Sequence, residues 1–200
     1  MNSRTLDDPE FLKRRRRGRL QLLLVAAVFL GPLALAFAMY YGGLWQPAGR
    51  VEHGRLILPP LPLPEAVARG EAGGPAFVGH WTLLLVAPGE CPPPCRDALH
   101  ASRQTRRALG RDMDRVHRLW LVTGGTLDRA WLEREHPELI TLDAATPAGS
   151  ELLQMIGEVR PGELLLIDPH GNLMMRFAPG LGMRDLHSDL KRLLKVSRIG

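Results

Sequence analysis

Residues 81–95 read WTLLLVAPGECPPPC, and this stretch decides the fold. Its first seven residues form an unbroken apolar run bounded by Gly79 and by Pro88-Gly89, the pattern of a strand buried on both faces. From Cys95 to about residue 116 the period lengthens to that of a helix. Ala98, Leu99, Ser102, Thr105, Leu109 and Met113 fall along one side, and arginines along the other. A cysteine pair, Cys91 and Cys95, therefore sits where a buried strand passes into a helix.

Working outward toward the C-terminus, residues 117–123 (HRLWLVT) read as a second strand closed by Gly124-Gly125. Residues 126–135 read as a helix with Thr126 as its cap, 138–142 as a short strand, and 147–156 as a helix opened by proline. Residues 163–168 and 173–177 flank the turn Pro169-His170-Gly171-Asn172, a hairpin, and an amphipathic helix over 183–196 ends the pattern. Crossover helices, then an antiparallel hairpin, then a final helix make an α/β thioredoxin-like fold, a mixed sheet flanked by helices.

Toward the N-terminus the composition changes. Residues 20–41 carry no charged side chain, enough length to cross a hydrocarbon core of about 30 Å, so one N-terminal transmembrane helix is expected. A cleaved signal peptide is the rival, because Ala36-Phe37-Ala38 has the small-x-small pattern. The length of the run and the aromatics Tyr40, Tyr41 and Trp45 favour the anchor. The overall charge of +5 does not indicate nucleic acid. Residues 1–19 hold seven basic and three acidic side chains, a local balance of +4 that leaves +1 for the remainder. Placed directly before the apolar run, the cluster at 13–19 reads as a topology signal that keeps the N-terminus in the cytoplasm. The expected organisation is a cytoplasmic basic segment (1–19), an anchor in the lipid bilayer (20–41), a Pro-rich juxtamembrane linker (42–64) and an exported domain (65–200). Within the linker, 55–58 is extended and 59–64 (PPLPLP) is a stiff spacer.

Outside the cytoplasm an isolated cysteine pair serves as a staple, a redox couple or a metal site. A helix N-terminus offers unpaired N–H groups and partial positive charge that stabilise a thiolate, and Arg96 adds a further positive charge. Pro92, Pro93 and Pro94 oppose closure of the bridge. A polyproline run would hold the Cα atoms about 12 Å apart, beyond the disulfide range, so a turn or a cis proline is required.

The strand, the cysteines with three residues between them, the following helix and the hairpin around Leu166-Ile167-Asp168-Pro169-x-Gly171 resemble the SCO family of thioredoxin-fold cytochrome c oxidase assembly factors. The likeness covers roughly residues 81–196. Leu44-Trp45-x-Pro47 and His53-Gly54-x-Leu56-Ile57 are similar to SCO-related membrane proteins of bacterial oxidase gene clusters. The resemblance implies a tethered domain in the bacterial inner membrane, facing the periplasm. It would act on the oxidase's copper-binding subunit or another assembly factor, as a Cu(I) carrier or as a reductant of cysteines. The expected site is then Cys91 and Cys95, with Cys91 the more exposed, attacking thiol and Cys95 resolving, and with both as the candidate copper ligands.

One position departs from the family. The copper-ligating histidine of the family lies about eight residues before the hairpin aspartate, and here that place is Arg160. A fixed cation there is expected to favour a thiolate over a metal complex, to make Cu(I) binding weak, and to make Arg160→His restore it. Pro161 matches, about one residue out of register, the cis proline that thioredoxin-like reductases pack against the disulfide. None of the seven histidines has ligand spacing. His117, His136 and His170 read as solvated boundary residues, His53 and His80 lie in or near loops, and His187 lies in the last helix. His100 falls about 500° around the helix from Cys95 and points away from it. A distant histidine or Met155 remains as a third ligand.

Overall fold

A computed structural model of the chain describes residues 9–42, 52–197 and 199. It divides into two units, Met1–Arg50 and Val51–Gly200. The first contains helix α1, Pro9–Tyr41, of 33 residues with Pro32 inside it. Its segment Arg17–Met39 is long and apolar enough to cross a membrane, and none of it is buried. Phe37 and Tyr41 stack at one end, with ring centroids 5.9 Å apart. Trp45, the Leu44-Trp45-x-Pro47 motif and the linker over 43–50 lie outside the described residues.

The second unit is built on one six-stranded sheet: β1 (Arg55–Pro62), β2 (Trp81–Ala87), β3 (Val116–Val122), β4 (Leu139–Asp143), β5 (Leu164–Ile167) and β6 (Asn172–Phe177). The spatial order is β1-β6-β5-β2-β3-β4, with β2, β3 and β4 parallel and the other pairings antiparallel. Because side chains alternate along a strand, β2 feeds two cores. Leu83 and Leu85 pack with Leu99 of α3 (Pro93–Ala108) and Leu190 of α6 (Met183–Val196). Leu84 packs on the opposite face with Val67 of α2 (Glu65–Ala68) and Leu152 of α5 (Pro147–Ile156).

Four local expectations are corrected. The helix after Cys95 stops at Ala108, where Gly110 at φ +59 leads into a 3-10 turn over Gly110–Arg115. Among the arginines expected on its solvent side, Arg106 is buried, with Nε donating to the Val116 carbonyl at 2.7 Å and its guanidinium paired to Glu138 and Asp114. Helix α4 spans only Arg129–Glu135 and is capped by Asp128, which accepts from Trp131 N. Thr126 is no cap, because Gly124 and Gly125 turn the chain at positive φ and its amide is committed to the Glu90 carboxylate.

The fourth concerns the spacer at 59–64, whose residues 59–62 continue the extended stretch 55–58 as the edge strand β1, paired with β6 through Arg55↔Arg176 and, after a register shift, Leu61↔Leu173. Prolines are tolerated there because an edge strand leaves some N–H positions unpaired. The start of β1 is held down by the buried Asp189, which accepts from His53 N at 2.7 Å, Gly54 N at 2.9 Å and His53 Nδ1 at 3.0 Å. The sheet therefore begins about ten residues before residue 65.

Candidate redox site

Cys91 and Cys95 are bridged, with S–S 2.03 Å and Cα atoms 5.1 Å apart, within the ordinary disulfide range. A turn brings them together. Cys91 adopts a left-handed conformation, φ +44, the one non-glycine residue of positive φ among the described residues. Pro92 stays extended, and α3 opens at Pro93, whose missing N–H costs nothing in the first turn. The loop is closed by Cys91 N to Pro88 O at 3.1 Å and Cys95 N to Pro92 O at 2.9 Å. No proline of the loop is cis. The only cis peptide among the described residues is Leu58-Pro59, so the bond before Pro161 is trans, unlike the reductase pattern.

Both sulfur-bearing residues are buried in the bridged protein, Cys91 at 3% exposure and Cys95 at 1%, so the loop position leaves Cys91 the more exposed of the two only by a small margin. Cys95 instead lines a cavity of about 380 Å³ with Val86, Pro92, Leu153, Val159 and Pro161. This groove, lined largely by apolar residues, is where the bridge meets the surface, and Pro161 belongs to it. Below it the Trp120 indole donates from Nε1 to the Ala87 carbonyl at 3.0 Å, fixing the end of β2 from which the loop departs.

The two arginines singled out from the sequence part company. Arg96 Nε donates to the Cys91 carbonyl at 3.0 Å, and its guanidinium lies 5.8 Å from the centroid of the Trp131 ring. Arg160 turns to the buried Glu163, with Nη2 3.3 Å from Oε1, and lines a separate groove of about 610 Å³ with His53, Arg55, Glu158 and Arg176. Glu163 is shared with Arg176, so the charge of Arg160 is met by a carboxylate rather than aimed at sulfur.

The histidines are redistributed too. His136 is buried, not solvated, with Nδ1 3.4 Å from the Arg118 guanidinium and its ring edge-on to Trp131. Burial first, then the cations Arg118 and Arg103, pushes its pKa down to about 4. His117 is half-buried and stacks on His80 at 4.0 Å, and its pKa is lowered by burial, then by His80 and Arg106. His100 and His170 are exposed, and Met155 packs in the cluster around Leu84. Among the described residues no group of three or more His, Cys, Asp or Glu side chains is disposed to hold a metal ion.

Sequence reading overlooked Gly162 and Trp131. Gly162 at φ +80 lies against Pro94, and the motif Pro161-Gly162 before a strand was the available signal. Trp131 carried none, because its contact with Arg96 joins two helices distant in the chain.

A disulfide at the N-terminus of the first long helix after a central strand, on a mixed sheet covered on both faces, defines a thioredoxin-fold protein. This chain belongs to the family described as transmembrane-like with a thioredoxin-like C-terminal domain, which residues 81–197 match, and residues 13–43 match the corresponding transmembrane-like N-terminal domain. Among solved structures, apo Sco1 from Thermus thermophilus is 18% identical with a TM-score of 0.53, covering 71% of this chain and 96% of that one. Yeast Sco1 with copper bound is 14% identical with a TM-score of 0.50, covering 60% of this chain and 79% of that one. At these identities the likeness is one of fold. No curated protein matches the sequence.

Proposed function

We propose that the chain is a membrane-anchored thiol-disulfide factor whose exported domain faces the periplasm and assists maturation of the copper-binding subunit of cytochrome c oxidase. The observation that carries this reading is the Cys91–Cys95 bridge at the start of α3, opening through Cys95 onto an apolar groove. The amides at a helix N-terminus favour the thiolate over the thiol, which suits the pair to exchange.

In the reduced protein, Cys91 attacks one sulfur of a client disulfide, forming a mixed disulfide and releasing one client thiolate. Cys95 then attacks the Cys91 sulfur, the second client thiolate leaves, and the loop disulfide forms. Two electrons pass to the client, and a dithiol reductant of the envelope must restore the pair. Because both cysteines are buried in the bridged form, the loop must open on reduction before Cys91 can reach a client disulfide.

Cu(I) as cargo is the alternative. Reduction supplies two soft thiolates, which suit Cu(I). The position where the resemblance expects an imidazole holds Arg160, a side chain with no acceptor, and it is occupied with Glu163. The donor set is therefore incomplete, and no step is assigned to the metal.

The test traps the client. Cys95→Ser should accumulate a mixed disulfide through Cys91 with a client of the envelope, and Cys91→Ser should not. Normal oxidase maturation in a strain carrying both substitutions would sink the reading and leave a structural bridge in an interaction module.

A further inference from the structure

We propose that Arg96 is a positioning residue that holds the Cys91–Cys95 loop in its closed form, using Trp131 as the platform for its guanidinium. The proposal rests on the redox reading above and concerns the poise of that same couple.

The loop is poor in backbone ties because Pro92, Pro93 and Pro94 have no N–H to donate. Cys91 is moreover held at φ +44, a conformation that side-chain-bearing residues disfavour. The Cys91 carbonyl takes its hydrogen bond from a side chain beyond the bridge, Arg96 Nε donating to it at 3.0 Å. A bond from a charged donor is stronger than one between neutral groups.

The arginine is itself placed by a second element. Its guanidinium lies over the Trp131 ring, a favourable arrangement for a cation and an aromatic face. Trp131 is fixed in turn by the α4 cap, Asp128 Oδ1 accepting from Trp131 N at 2.9 Å, and by its edge contact with His136. A chain of contacts thus runs from α4 through Trp131 and Arg96 to the Cys91 carbonyl. It favours the closed loop, and with it the disulfide over the open dithiol.

Arg96 has two separable effects. The hydrogen bond stabilises the closed, oxidised loop, whereas the positive charge stabilises the thiolate of the reduced form. Arg96→Lys keeps the charge and loses the Nε fork. Arg96→Ala loses both.

The experiment equilibrates the purified full chain in detergent with glutathione buffers and follows the thiol pKa by the pH dependence of alkylation. Arg96→Lys should make the disulfide about tenfold easier to reduce, a rise of about 30 mV, with the thiol pKa unchanged. Arg96→Ala should raise the thiol pKa and show a smaller change in potential, since its two losses oppose each other. Trp131→Ala should move the potential in the same direction as Arg96→Lys. A potential for Arg96→Lys within twofold of wild type in equilibrium constant overturns the proposal while leaving the redox reading intact. A wild-type bridge that neither glutathione nor dithiothreitol reduces overturns both.

Discussion

Gly162 and Pro94 are in backbone contact: a Cβ placed on Gly162 would lie 2.9 Å from the Pro94 carbonyl oxygen and 3.1 Å from its Cβ. The turn entering β5 is thereby fitted against the first turn of α3, beside Cys95. Gly162 also sits at φ +80, which a side chain disfavours. Gly162→Ala should destabilise the oxidised protein by about 2–3 kcal/mol, from the strained backbone and the collision together. Urea unfolding of the full chain in detergent measures it, and a change under about 0.5 kcal/mol would mean the contact is loose.

Acid should weaken the domain through His136. Its folded pKa, about 4, lies below the ordinary 6.5, so the unfolded chain takes up a proton first as pH falls. The stability is fully present above pH 6.5, declines between 6.5 and 4, and levels off below 4. The lowered pKa of His117 acts in the same sense. The His136 contribution is on the order of 1–3 kcal/mol. His136→Gln, which keeps an acceptor toward Arg118, should flatten the decline, and an unchanged slope would assign it to other groups.

Thiol acidity should follow Arg96 and not Arg160. Arg96 contacts the Cys91 carbonyl, whereas the exposed Arg160 is paired with Glu163 and lines the other groove. In the reduced chain Arg160→Ala should leave the pH profile of alkylation where it is, and Arg96→Ala should move it up. Equal shifts in both variants would show that Arg160 reaches the thiols once the bridge opens.

Cu(I) retention by the reduced chain should be weak in competition with a calibrated chelator. From the sequence, Arg160→His was expected to strengthen it. Since residue 160 faces Glu163 and the groove of His53 and Arg55, that variant should bind no better than wild type. Tight binding of one copper by wild type would favour the carrier reading, and a gain confined to Arg160→His would restore residue 160 to the metal site.

The anchor should be retained. The basic cluster at 13–19 runs directly into the apolar segment of α1, and the family match over 13–43 covers both. Intact mass of membrane-extracted protein checks this. A mature N-terminus at Met39 would show a cleaved leader.

Residues 81–95, with the apolar period that follows Cys95, placed a buried strand, a cysteine pair and the start of a helix in sequence, because burial on two faces demands continuous apolar residues and helix periodicity is local. The same holds for α5, whose bounds and Pro147 opening are written in adjacent residues, and for the turn at Asp168 to Asn172. What depends on contacts between distant segments was not legible. Residues 59–62 carry a spacer's composition, and only pairing with β6 makes them continue the extended stretch 55–58 as one strand, whose start the Asp189 clasp holds. Arg160 occupies the right place in a linear alignment, but the sharing of buried Glu163 with Arg176 decides where its charge goes. His136 stands before a proline like a surface residue, and is buried because Trp131 and Arg118 close over it. The sequence by itself determined where the cysteine pair lies and the elements that present it, since apolar runs, helix periodicity and cysteine spacing are local. Tertiary structure alone decided which charge serves the bridge, because a guanidinium on a long flexible stem goes to whichever partner the packing brings within reach.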